Sequence, residues 1–398
     1  MKLTALLASL ALLASACAAH ADDNWSGIVE KARGQTVYWN AWGGDERTNA
    51  FIAWVGDQVS AKYGVTVRQV KLSDTAEAVS RVVAEKSAGT DSDGSVDLIW
   101  INGPNFLSMK EKGLLFGPFV ENLPNARFLD LAPGSAASVD FTIPVEGYES
   151  PWRLAKYVFN YDSARLPTPP KSMRALLDWA KSKPGRVTHP EVSNFMGATF
   201  LKQALIELTP DPAVLQTPAT DTNFTAATAP LWTWYDELRP NLWRWGTTLP
   251  ANASAQQQLL NDGEIDISMS FDPASAAAAI AEGQLPETVR TYALDGGTIG
   301  NVSFVAIPFN AAHKEGAMVV ANFLLEPETQ AHAQNIEVLG SFSVLDHEKL
   351  DPSQRKMFDN LPKSPALPTN EGLGPTLLEP HASWMTRLTE EWKKRYTE

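Results

Sequence analysis

Two short stretches hold the side chains best suited to chemistry. Val37-Tyr38-Trp39-Asn40-Ala41-Trp42 is an apolar strand pattern that runs into Gly43-Gly44-Asp45-Glu46, and Ile265 to Phe271 is a second strand pattern that runs into Asp272. An aromatic ring, glycine backbone N–H groups and a carboxylate at a helix start can hold a small molecule. The ring stacks or faces a cation, the N–H groups receive an anion, and the carboxylate receives a cation. This is chemistry of capture, without bond cleavage. Open α/β sheets place ligands where a strand end meets a helix start, so the two stretches predict opposite jaws of one cleft.

Each candidate has a plainer reading beside the chemical one. Trp39 and Trp42 lie three apart in a strand and project to opposite faces, which makes Trp42 the contact candidate and assigns Trp39 to the core. Gly43 and Gly44 offer N–H groups. Asp45 either caps the helix, the favoured role given the N-cap preference of Asp, or receives a cation. Asn102 and Asn105, after the third strand, offer amides or form a turn with equal warrant. Phe271 and Asp272 repeat the geometry, against a core aromatic and a helix cap; Asn194 and Phe195 pose the same choice. Trp152 and Tyr157 either line the cleft or brace a crossing strand. Trp232, Trp234, Trp243 and Trp245 are expected to pack, because tryptophan buries so much area.

No H-E-x-x-H or G-x-S-x-G motif is present, and His20, His189, His313, His332, His347 and His381 are scattered without helical metal-ligand spacing. The expectation is no catalytic residue, no metal and no cofactor. A secreted hydrolase using Asp45 or Asp272 is the alternative from another class.

The elements that must position these groups alternate. A strand from Gln35 to Trp42 precedes a helix from Glu46 to Lys62 with Phe51, Ile52, Val55 and Val59 on one face, stopped by Gly64. Val65 to Leu72 is the next strand. A helix capped by Ser73 or Asp74 carries Ala76, Val79, Val82 and Val83 and ends near Gly89, and Val96 to Ile101 is the third strand. Strand–helix–strand–helix–strand predicts right-handed crossovers and one shared edge of strand C-ends. Val145 to Trp152 leads into Ala155 to Tyr161, read as a strand crossing between lobes. Further strands are predicted at Arg186–Thr188, Ile265–Phe271, Val289–Leu294, Val302–Pro308 and Ser341–Leu345, and a final helix at Ala382–Tyr396.

Lys2, the apolar run Leu3 to Ala14 and Ala19-His20-Ala21 read as an export signal cleaved after Ala21. The run is about a dozen residues, short of the roughly 20 a membrane span needs. Cys17, the only cysteine, permits a lipoprotein route, which is less favoured, and it excludes an intrachain disulfide. Removing 21 of the 398 residues leaves 377, more than one compact core serves, so two lobes are expected. Loss of Lys2 takes the formal charge from −13 to −14, which argues against nucleic acid and anionic membranes as partners.

Val37 to Leu72, Asp97-Leu98-Ile99-Trp100 and Gly113-Leu114-Leu115 resemble the first lobe of the periplasmic solute-binding proteins of ABC importers. Leu259 to Ser270, Ser303 to Asn310, Ala317 to Leu325 and Glu326-Pro327-Glu328-Thr329-Gln330 are similar to later parts of the same superfamily. Trp39 to Gly44, with the loop Asp91-Ser92-Asp93-Gly94, most resembles its YnjB-type branch. The resemblance spans nearly the whole mature chain. It implies an α/β, two-lobed periplasmic-binding-protein fold of type II, with mostly parallel sheets flanked by helices. Hinge strands between the lobes would be Ala155–Asn160 and Ser303–Ile307. Lobe 1 would comprise residues 22–155 plus roughly 304–345, and lobe 2 residues 156–303 plus roughly 346–398. The implied protein is a periplasmic monomer whose partners are a small-molecule solute and ABC permease subunits. Acidic helix starts beside tryptophans favour a cationic or nitrogen-ring solute, thiamine-like or a polyamine; a carbohydrate or an anion is the alternative.

Overall fold

The computed structural model describes residues 25–368 and 372–397, so the expected leader, the cleavage expected after Ala21 and Cys17 lie outside the described residues. Helix α1 (residues 25–32) precedes β1 (Thr36–Trp42), α2 (Glu46–Tyr63), β2 (Thr66–Leu72), α3 (Ala76–Ser87), β3 (Leu98–Ile101) and α4 (Pro104–Glu111). Asp45 starts α2 and Gly64 stops it in the left-handed region, at φ 69°. Phe51, Ile52, Val55 and Val59 bury one face of α2, each contributing about 1.5–3 kcal/mol. β1 lies between β2 and β3, parallel to both, so Trp42 and Asn102 come to the same sheet edge.

A hairpin of β4 (Val139–Asp140) and β5 (Ile143–Pro144) leads to β6 (Glu149–Lys156) and β7 (Val158–Asp162). The chain then forms α5 (Met173–Ser182), α6 (Phe195–Leu208), α7 (Asp221–Leu238), α8 (Ala253–Asn261), β8 (Ile267–Ser270), α9 (Ser275–Ala281) and β9 (Val289–Tyr292). It returns through β10 (Thr298–Ala306), α10 (Lys314–Leu324), α11 (Pro327–Gln334), α12 (Pro352–Asp359), β11 (Thr376–Leu377) and α13 (Ala382–Tyr396).

The larger sheet runs β11-β10-β3-β1-β2, with β6 also on β10; the smaller is β8-β7-β9. Among the described residues, parallel pairing between strands is confined to β1 with β2 and β3 and to the short β10–β11 contact, with isolated parallel bridges at Gly94–Ala311 and Val187–Ile267. β10 is antiparallel to β3 and β6, and β7 is antiparallel to β8 and β9. Parallel ladders are thus fewer than the alternating pattern predicts. A strand that returns from the other lobe enters its sheet from the far end and must run against its neighbours.

Two large cores result. The first gathers Trp39, Phe51, Trp152 and Val305, and the second Tyr157, Phe159, Phe200, Trp234 and Trp384. β6 and β7 cross between them, as does β10, whose Ile299 belongs to the second core and Val305 to the first. Leu350 and Phe358 pack in the first core, whereas Leu388 and Trp392 of α13 pack in the second, so the chain crosses again between α12 and α13. These crossings are tied together: Tyr157 N–H donates to Ile299 O at 2.7 Å, and the Lys156 ammonium donates to Gly374 O, Pro375 O and Thr376 Oγ1 at 2.8–3.0 Å.

Some local expectations fail. Val187 makes a single bridge to Ile267, and Phe342 one to Leu154, where strands are expected; both segments are too short to sustain a ladder. Helices α1, α7 and α12 have no counterpart in the sequence prediction. The buried face of α7, Phe224, Thr228, Leu231, Tyr235 and Leu238, is blurred by threonines and by Pro230. Trp232 and Trp234 are buried as expected, but Trp245 is 74% exposed, on a backbone in the left-handed region that turns its ring away from the core.

Candidate functional site

Between the two cores lies a cavity of about 990 Å³, the size of a small-molecule site. The ends of β1 and β3 and the starts of α2 and α4 form one wall, the end of β8 and the starts of α6 and α9 the other. Arg153 and Ala155 of β6 and Asn301 and Ser303 of β10 line it between them. Trp42, Gly44, Asp45, Asn102, Asn105, Asn194, Phe195, Phe271 and Asp272 are all on its walls.

Gly43, Trp152 and Tyr157 are not. Gly43 N–H donates to Leu72 O and its carbonyl accepts from Asn49 Nδ2, both at 3.0 Å, so the sheet has taken the donor expected to meet an anion. Trp152 is buried against Trp39, Phe51 and Trp100, with ring centroids 5.0–6.2 Å apart. Tyr157 is buried against Phe159 and Phe271. Strand alternation explains the pattern in β6: Trp152 points into the core, so Arg153 and Ala155 point into the cleft.

In the first wall, Trp42 meets Trp100 edge to face, centroids 6.5 Å apart. A Cβ on Gly44 would sit 2.4 Å from Trp42 Cζ2, so glycine is what lets the indole fold over the helix start. Asp45 Oδ2 accepts from Thr48 N–H at 3.0 Å and from Thr48 Oγ1 at 2.6 Å: it is the cap. Asn102 Nδ2 donates to Val302 O at 2.6 Å and, more weakly, to Asp140 Oδ1 at 3.4 Å. In the second wall, Asn194 caps α6 by accepting from Met196 N–H at 3.0 Å, and Phe195 packs on Phe271 at 5.4 Å. Asp272 Oδ1 accepts from Ala274 N–H at 3.0 Å, while Oδ2 faces Arg153 Nη2 at 3.9 Å.

Arg153, which sequence reasoning did not select, is the buried cation of the cleft. It is 8% exposed, with its guanidinium carbon 5.6 Å from the Trp100 ring and 5.5 Å from the Trp152 ring. Burial pushes its pKa down and Asp272 and Asp45 oppose that; burial pushes Asp272 up and Arg153 opposes that. The signal was available in principle: once Trp152 is assigned to the core, position 153 faces the other way. At the cleft mouth, Arg47 of α2 bonds Ile336 O and Val338 O and reaches Glu282, beyond α9, at 3.4 Å, joining the two walls.

A second polar group lies beside the crossings. The buried Lys202 of α6 pairs with the buried Glu379 at 2.6 Å, and Glu379 also accepts from Asn301 Nδ2 at 2.9 Å. The Lys202 ammonium sits over the Phe141 ring at 4.3 Å and the Phe195 ring at 5.0 Å. Asp140 accepts from Gly103 N–H, and burial pushes its carboxyl up to about 7. Among the described residues no three His, Cys, Asp or Glu side chains are grouped to hold a metal ion, and no helix is long and apolar enough to cross a membrane.

Residues 54–356 match the family model for bacterial extracellular solute-binding proteins. The chain is 42% identical to protein YnjB of Escherichia coli (strain K12) over 379 residues, 95% of each chain. It belongs to the bacterial extracellular solute-binding proteins. This solute-binding protein is similar in structure to a Listeria monocytogenes protein provisionally assigned as a spermidine/putrescine ABC transporter, with a TM-score of 0.64 at 16% identity over 91% of this chain and 98% of that one. It is also similar to the periplasmic binding protein AfuA of Actinobacillus pleuropneumoniae, determined with fructose-6-phosphate bound, with a TM-score of 0.63 at 14% identity over 91% and 99%. The two-lobed α/β fold is that of transport solute-binding proteins.

Proposed function

We propose that the exported protein works in the periplasm as a monomer, captures a small solute between its lobes, and delivers it to an ABC permease in the inner membrane. The observation that carries this reading is the cavity walled by both cores and crossed by β6 and β10. Ligand contacts from both walls favour the shut arrangement over the open one and so shift a pre-existing equilibrium. Lobe 1 would be residues 25–155 with 304–361, since Leu350 and Phe358 pack there, and lobe 2 residues 156–303 with the C-terminal helix.

The solute in this reading carries a cationic or nitrogen-containing ring or chain. Asp45, Glu46, Asp74, Asp272, Glu282 and Glu390 on the cavity wall outnumber Arg47, Arg153 and Lys393. Trp42, Trp100, Phe195 and Phe271 add ring surface that suits such a group. The polyamine assignment of the Listeria monocytogenes protein agrees with this. Arg153 and the sugar phosphate of AfuA favour a second reading, an anionic solute. A thermal-shift screen of the purified mature chain against polyamines, thiamine compounds, sugars and oxyanions tests capture: stabilisation without turnover is expected, and consumption of a compound would instead support a hydrolase.

A further inference from the structure

Arginine has five N–H donors and no acceptor. Arg153 turns those donors into the cavity, yet none is within hydrogen-bonding distance of an acceptor among the described residues, and its buried Nε has no partner. Its nearest carboxylate oxygen, Asp272 Oδ2, is 3.9 Å away, beyond the 2.7–3.2 Å of an N–H···O bond. A buried charged donor without an acceptor is costly, and tryptophan faces at 5.5 and 5.6 Å do not replace one. Asp272 is in the matching state, with one oxygen held by Ala274 N–H and the other turned to Arg153. A buried cation and a partly buried carboxylate thus face one cavity, close enough to feel each other and too far apart to bond.

A purely cationic solute at Asp272 would sit against Arg153, and a purely anionic one at Arg153 would sit against Asp272. A molecule carrying both charges satisfies both residues at once. We propose that Arg153 is the oxyanion anchor of the binding site and Asp272 its cation acceptor, so that the solute is zwitterionic: a carboxylate or phosphate on the same molecule as a basic nitrogen. This rests on the capture reading above and narrows its solute class. The planar guanidinium fork suits either oxyanion through paired N–H···O bonds, and Trp42 and Phe271 line the same cavity.

The test uses matched pairs on the full mature chain: arginine against agmatine, which lacks the carboxylate, and thiamine monophosphate against thiamine, with spermidine and inorganic phosphate as single-charge probes. The first pair reports a carboxylate, the second a phosphate. In at least one pair the oxyanion-bearing member should bind more tightly by calorimetry, and Arg153→Gln should weaken that member by about 30-fold while its cationic partner binds at least as tightly as before, because the opposing charge is gone. Arg153→Lys, which keeps the charge without the fork, should fall between; unliganded melting curves of both variants confirm that they fold. Amine-only members binding as tightly as their counterparts, or an oxyanion member indifferent to Arg153→Gln, would overturn the proposal. Mass spectrometry of the compound released on denaturing the natively purified protein separates the two levels. A released polyamine or neutral sugar overturns the zwitterion and leaves capture standing, whereas no released compound and no binder in the panel overturns capture too.

Discussion

The two strand ends that face each other across the cleft read alike in sequence and differ in structure. At the first, Asp45 has one carboxylate oxygen committed to both the N–H and the hydroxyl of Thr48, Gly43 is committed to the sheet, and Trp42 lies over Gly44. At the second, Asp272 has one oxygen held and the other directed at Arg153 without bonding it. Each carboxylate keeps one oxygen free of hydrogen bonds to the described residues, but the first jaw spends its bonded oxygen on the helix cap and presents a ring surface, whereas the second sets its free oxygen opposite a buried cation. A carboxylate at a helix start therefore says little about ligand chemistry until its hydrogen bonds are counted.

The largest expected effect tests the frame beside both jaws. Asp140 has a folded pKa of about 7, above the ordinary value of 3.8, so between about pH 4 and 7 the folded state binds the extra proton. Stability contributed by that proton is present in acid and is lost as pH rises through 7, with a slope approaching about 1.4 kcal/mol per pH unit. Asp140→Asn should remove this contribution, so its stability relative to the parent, measured by denaturant titration, should rise from pH 4 to 7; a constant difference would contradict the assignment. His189 has the opposite sign: burial holds it down at about 4, so its contribution is lost as pH falls from about 6.5, and only the difference between the two proteins isolates Asp140.

The contrast between the jaws predicts a split outcome for their carboxylates. Asp272→Ala should weaken solute binding by about 30-fold or more, since it removes a charged partner, with little loss of melting temperature because burial already disfavours its charge. Asp45→Ala should do the reverse, costing about 1–2 kcal/mol of stability as a lost cap with a small change in affinity. Equal effects of both substitutions on affinity would erase the distinction. Trp42→Ala is a smaller step, a loss of about 0.5–1.5 kcal/mol of binding from ring contact, read by calorimetry; unchanged affinity would remove Trp42 from the site.

Much of the frame was legible because period and punctuation agreed. Phe51, Ile52, Val55 and Val59 mark one face of α2, Gly64 ends it, and the alternation of strands and helices brings Trp42 and Asn102 to one edge. The facing of Phe271 and Asp272 could be anticipated from the repeated strand-to-helix junction. What escaped depends on tertiary partners. Gly43 loses its N–H to Leu72, from the neighbouring strand. Trp152 is drawn into the core by Trp39, Phe51 and Trp100, and that choice, invisible locally, is what exposes Arg153 to the cleft. The Lys202–Glu379 pair joins residues 177 positions apart, and no local pattern could announce it.

Small-angle scattering of the mature protein, stripped of solute by unfolding and refolding and then mixed with the compound that most raises its melting temperature, tests the central claim most directly. If the solute is held between the jaws, saturation should reduce the radius of gyration, and Asp272→Ala should require far more compound to do so. Full binding with unchanged scattering in both proteins would contradict capture by closure of the two lobes.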